Sequence, residues 1–100
     1  MTKTLAAAFA LVATATTMPS AEQGRKLFHD KGLGTNGRSC AACHESGKRL
    51  DDLGEYDDAK LGAYANSCIE AMLKGKPLPP DSVELRSLVL YLRTFQKVKR

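Results

Sequence analysis

The sequence predicts an all-α domain of three main helices, with a fourth short one. Three observations carry that expectation. Apolar residues recur at helical spacing over two long stretches, roughly 59–74 and 83–95. Ser or Asp residues stand where a helix N-cap is needed before each of three helical stretches. No alternation of polar and apolar residues marks a strand anywhere in the chain.

Residues 1–21 read as an export leader. Lys3 supplies the charged start, Leu5 to Val12 the apolar stretch, and Ala13, Ala15 and Ala21 the small residues of a cleavage region. A cut after Ala15 leaves an Ala-Thr-Ala site, whereas a cut after Ala21 puts Pro19 two residues upstream, which disfavours it. The apolar part is short for a membrane span, so an uncleaved anchor is the weaker alternative. The later cut leaves 22–100 as the domain, and losing Lys3 lowers the net charge from +4 to +3. A chain of about 80 residues buries a small core and commonly needs a metal or covalent cofactor as a staple.

The first helix starts at Ser20, where Ser20-Ala21-Glu22-Gln23 fits a capping box. Leu27 and Phe28 give it an apolar face, Gly24 sits one turn before Phe28, and an end is expected near Lys31-Gly32. Gly32 to Ser39 is then a loop leading into Cys40. From Glu45 to Asp58 the composition is polar, with an acidic cluster of Asp51, Asp52, Glu55, Asp57 and Asp58. That stretch reads as a long surface loop, either solvated or a docking patch.

A second main helix is expected over Ala59–Lys74, capped by Asp57 or Asp58 and closed by Gly75. Its apolar stripe is Leu61, Ala65, Cys68 and Met72, with Ile69 and Leu73 alongside. Lys76-Pro77-Leu78-Pro79-Pro80 cannot continue a helix and must be an extended connector. Asp81-Ser82-Val83-Glu84 opens the last helix, whose stripe is Leu85, Leu88, Val89, Leu92 and Phe95. Lys97, Lys99 and Arg100 lie at or beyond its C-terminal end, where positive charge suits the dipole.

Composition excludes several classes. Charged residues at 26% and hydrophobic ones at 43% rule out wholesale disorder, and no apolar run reaches the length of a transmembrane helix. The net charge of +4 is too small to argue for nucleic acid as a partner. Three cysteines cannot all be paired within one chain, so at least one needs another role.

Cys40-Ala41-Ala42-Cys43-His44 is a C-x-x-C-H sequence, the attachment signature of c-type haem. Two thiols at this spacing can add to the two vinyl groups of one porphyrin, and the histidine that follows becomes the proximal iron ligand. A zinc site would need a second ligand pair, and the only other histidine is His29. A thioredoxin-like redox pair would need a βαβ pattern, which is missing. An exported chain also suits haem attachment, which takes place outside the cytoplasm. One covalent haem c with its iron is the cofactor expected.

With that motif after an N-terminal helix and before a long amphipathic C-terminal one, the chain resembles class I c-type cytochromes over most of 22–100. The resemblance implies a cytochrome c class I fold, in which the two terminal helices cross through a glycine and aromatic contact. Gly24 and Phe28 resemble one half of that contact, and Leu88, Tyr91 and Leu92 the other. It also implies a distal methionine from the loop before the last helix. Here that loop reads Gly75-Lys76-Pro77-Leu78-Pro79-Pro80, and leucine cannot ligate iron.

Other distal candidates follow. Cys68 and Met72 stand four residues apart on one helix face. Asn66 points about 200° around the helix from Cys68. His29 belongs to the proximal side of the sequence. The stretch from Cys68 to Ser82 is similar to haem domains of thiosulfate dehydrogenases and related sulfur-oxidising cytochromes, and that similarity implies Cys68 as the ligand. Those enzymes commonly carry two haems, whereas this chain has one attachment motif. A cysteine and a methionine on a helix's apolar face can equally be packing residues.

The function expected is a periplasmic electron carrier that docks a redox partner protein, with Arg38, Lys48 and Lys76 able to steer an acidic surface. The alternatives are a thiolate-ligated haem subunit of an enzyme oxidising sulfur compounds, and a haem protein that binds small ligands. No stable membrane insertion is expected once the leader is removed.

Overall fold

A computed structural model of the chain describes residues 18–48, 50 and 53–96. The leader residues 1–17, the loop residues Arg49, Asp51 and Asp52, and the basic tail from Lys97 to Arg100 lie outside the described residues. The domain is all-α. Among the described residues four α-helices follow in order: α1 Ala21–Phe28, α2 Ala41–His44, α3 Asp58–Met72 and α4 Val83–Arg93. Two 3₁₀ turns, Glu45–Gly47 and Leu53–Glu55, lie between α2 and α3, and no strand occurs among the described residues. Among the described residues, no helix is long and apolar enough to cross a membrane.

Helix α1 begins as expected, with Ser20 Oγ accepting from the Gln23 N–H at 3.1 Å. The other half of the expected box comes from elsewhere in the chain. Ser20 N–H donates to Ser87 Oγ of α4 at 3.0 Å, so the cap closes across two helices. The helix ends at Phe28, ahead of Lys31-Gly32, because Asp30 Oδ1 accepts from the Gly32 N–H at 2.8 Å and turns the chain early.

Helices α1 and α4 form the principal helix–helix contact. Phe28 is only 1% exposed, with its ring edge-to-face on Tyr91 at 5.2 Å and tilted against Phe95 at 5.8 Å. Leu85, Leu88, Val89 and Leu92 are all buried and join Phe28, Leu53 and Leu61 in one core. The cap of α4 is Ser82, whose Oγ accepts from Leu85 N–H at 3.1 Å, one residue later than the Asp81 box implies.

Helix α3 is capped by Asp57, which accepts from Lys60 N–H at 2.8 Å. It closes with Lys74 in the left-handed region (φ 58°), and Gly75 N–H reaches back to the Ile69 carbonyl at 2.9 Å. The left-handed residue is therefore Lys74. Gly75 serves instead for close approach, since a Cβ there would fall 2.8 Å from Gly34 Cα.

The described residues of the polar stretch 45–58 are fastened to the rest of the fold. Leu53 is buried, and Arg93 of α4 binds the stretch through its backbone. Arg93 Nη1 donates to the Leu53 carbonyl at 2.8 Å, and Nη2 donates to the Tyr56 carbonyl at 2.6 Å and to Asp58 Oδ1 at 2.8 Å. Two members of the acidic cluster thus have structural partners: Asp57 as a helix cap and Asp58 as an ion pair.

Candidate functional site

Helix α2 is a single turn. Cys43 N–H and His44 N–H both point back to the Cys40 carbonyl, at 3.3 and 3.1 Å. Residues three and four apart share a helix face, so this turn sets Cys40, Cys43 and His44 along one edge. That edge borders a cavity of about 590 Å³ with an almost wholly apolar wall. Phe28, Leu88 and Leu92 bring the core to the cavity, and α3 lines it with Leu61, Tyr64, Ala65, Cys68 and Met72.

The His44 ring is held by its own loop. Nδ1 lies 2.8 Å from the Lys48 carbonyl oxygen, which can only accept, so Nδ1 carries the proton. In the neutral ring the lone pair is then on Nε2. A backbone acceptor on one ring nitrogen is how a protein fixes the tautomer of a metal-ligating histidine. The 3₁₀ turn at Glu45–Gly47 and the Lys48 N–H bond to the Glu45 carbonyl at 3.1 Å bring that carbonyl round.

All three cysteines are free thiols. Cys40 is the most enclosed, and burial pushes its thiol up to about 11, with the neighbouring Cys68 adding a smaller push in the same direction. Cys43 and Cys68 are exposed at the cavity wall. Met72 is 52% exposed and lines the same cavity. The apolar stripe of α3 therefore divides. Leu61, Ile69 and Leu73 pack inside, while Cys68 and Met72 face open space.

The loop before Cys40 is fastened to the C-terminal end of α3, a feature not read from the sequence. Thr35 N–H donates to the Leu73 carbonyl at 2.9 Å, Thr35 Oγ1 to the Lys74 carbonyl at 2.6 Å, and Asn36 Nδ2 to the Met72 carbonyl at 2.9 Å. These satisfy carbonyls that a helix end leaves without partners. Gly34 lets the loop close in, since a Cβ there would fall 2.0 Å from the Leu73 carbonyl oxygen. The sequence signal was present in Gly34, Thr35 and Asn36, but their partners are nearly forty residues away. The fastening sets the span between the motif and the Cys68–Met72 face.

The remaining candidates stand elsewhere. His29 is not at the cavity; its Nδ1 lies 3.0 Å from the Arg25 carbonyl, and its ring packs on Phe28 at 5.4 Å. Asn66 lines a separate groove between α3 and α4, and Leu78 packs on the core. Arg38 is at the cavity wall and has no ion-pair partner among the described residues, while Lys48 and Lys76 are exposed. Among the described residues, no three His, Cys, Asp or Glu side chains gather to hold a bare metal ion. Comparison with protein-family models, curated proteins and solved structures gives no match to this chain.

Proposed function

We propose that the chain is an exported monohaem c-type cytochrome of the class I fold that passes electrons to a partner protein. One observation carries the reading: the two motif thiols, an imidazole with a free Nε2 and two further sulfur side chains all line one apolar cavity. Its volume of about 590 Å³ lies within the range of pockets that enclose cofactors, and its wall is predominantly apolar. These residues fit a haem.

Cys40 and Cys43 would hold the group through thioether bonds, and His44 would ligate its iron through Nε2. The Lys48 carbonyl keeps the imidazole ring oriented for that role. Phe28, Leu88 and Leu92 exclude water from the inner wall, which keeps the local dielectric low. When bound, haem iron supplies a one-electron couple whose potential follows the axial ligand and the dryness of the pocket. Arg38 at the cavity wall, with Lys48 and Lys76, favours approach of an acidic partner.

In this reading Cys68 would supply the second iron ligand, and Met72, one turn on, is its alternative. A thiolate stabilises ferric iron and lowers the potential, whereas a thioether favours ferrous iron. The exposure of Cys68 at the cavity also favours a second reading, a thiolate-ligated subunit of an enzyme that oxidises sulfur compounds.

Electron paramagnetic resonance and near-infrared absorption of the ferric protein, with Cys68→Ala and Met72→Ala variants, separate these. A low-spin thiolate signal lost in Cys68→Ala identifies the cysteine. A methionine-to-iron band lost only in Met72→Ala identifies a carrier with thioether ligation. Absence of any haem spectrum in the exported chain overturns the proposal.

A further inference from the structure

Between Pro77 and Pro80 only Leu78 offers a backbone N–H, because proline has none. Asn66 takes it. Leu78 N–H donates to Asn66 Oδ1 at 2.8 Å, and Asn66 Nδ2 donates to the Leu78 carbonyl at 2.8 Å. A primary amide carries a donor and an acceptor side by side, so it can satisfy both polar groups of one residue, as a neighbouring strand would. Both bonds are partly buried, where leaving such groups unmet is costly.

The bonds hold the connector on one side of α3. Asn66 stands two residues before Cys68, about 200° around the helix. It lines the groove bounded by Gly62, Ala63 and Pro80, which is separate from the cavity. No residue from Gly75 to Pro80 lines the cavity. Leu78, the one residue of the connector with a long apolar side chain, packs on the core and is not among the residues lining the cavity.

We infer that Asn66 is a positioning residue that determines which segment supplies the distal iron ligand. By clasping Leu78 it keeps the connector off the cavity and reserves that wall for α3, hence for Cys68 and Met72. The inference rests on the haem reading proposed above. On this account the leucine at 78 is a consequence of the clasp: with Asn66 in place, a methionine at that position would not reach the iron.

The test uses exported holoprotein in a Cys68→Ala/Met72→Ala background, where α3 offers no sulfur. Leu78→Met is added with Asn66 intact and with Asn66→Ala, and the ferric near-infrared spectrum is read. With Asn66 intact the methionine-to-iron band should be absent; with Asn66→Ala it should appear. Should the alanine variant lose its helical circular dichroism, Asn66→Asp replaces it. Aspartate still accepts from Leu78 N–H but cannot donate to the carbonyl, so a partial band is expected. A band with Asn66 intact overturns the inference. So does its absence after either substitution in a chain that keeps its covalent haem and helical signal. If the unsubstituted chain carries no haem, the proposed function fails rather than the clasp.

Discussion

Gly24 of α1 lies so close to Ser87 of α4 that a Cβ at position 24 would fall 2.0 Å from the Ser87 carbonyl oxygen. Ser87 is fully buried, and its hydroxyl also receives the Ser20 N–H at the start of α1. One point of contact therefore sets both the separation of the terminal helices and the cap of the first. Backbone cannot move aside as a flexible side chain can. Gly24→Ala should cost about 1–3 kcal/mol, the usual range for overpacking. In a domain this small that is a fall in Tm of roughly 4–24 °C by circular dichroism. Ser87→Ala should cost about 1 kcal/mol through the lost acceptor. A Gly24→Ala chain that melts with the parent would show that the helices cross elsewhere.

Arg93 joins α4 to the turn at Leu53–Glu55 and to the start of α3 by donating to two backbone carbonyls and to Asp58. The carbonyl bonds are partly buried, whereas the Asp58 side chain is 74% exposed. Arg93→Gln should therefore cost about 1–3 kcal/mol. Asp58→Asn should cost less than about 1 kcal/mol, as exposed ion pairs do. Urea melts of both variants check the order, and equal losses would place the energy in the ion pair.

What was readable in advance was local. Ser20 and Asp57 stand at helix starts because their side chains reach the N–H three residues on, and that reach shows in the sequence, whereas the last cap falls on Ser82 and not on Asp81. The C-x-x-C-H motif was legible for the same reason: one helical turn determines its geometry. Partnerships that cross the chain were not. Ser87 and Arg93 carry no local signal of their roles, and Asn66, two residues from Cys68, stands in the sequence only among the candidate iron ligands. Each is explained by a backbone or side-chain partner that only the fold brings near. Leu53 was hidden in the same way, as an apolar residue within a charged loop.

The proposed export, taken with the Ser20 cap, predicts the earlier of the two candidate cuts. Cleavage after Ala21 would remove Ser20 and with it both the bond to Gln23 N–H and the contact with Ser87. Cleavage after Ala15 keeps them. The exported protein should therefore begin at Thr16 by intact mass and N-terminal sequencing. A start at Glu22 would mean that α1 folds without its cap.

Thiol reactivity should separate Cys40 from an ordinary cysteine in the haem-free folded chain. The thiolate is the reacting form. Because burial holds the Cys40 thiol up at about 11, its thiolate fraction at pH 8 is low and keeps rising with pH until that value is passed. Alkylation at pH 8, followed by peptide mass, should modify Cys40 on the order of a hundredfold more slowly in the haem-free folded chain than in urea. Raising the pH toward 11 should narrow the difference. Equal rates at pH 8 would mean that Cys40 is not enclosed.

The most direct test of the account is the denaturing mass of the chain after export alongside a haem-attachment system, with its free thiols counted by alkylation. The account predicts one haem that stays bound through denaturation and a single alkylatable thiol, Cys68. Cys43→Ser should remove one of the two thioether links, leaving an altered holoprotein or none. An exported chain of haem-free mass with Cys40, Cys43 and Cys68 all open to alkylation would contradict it.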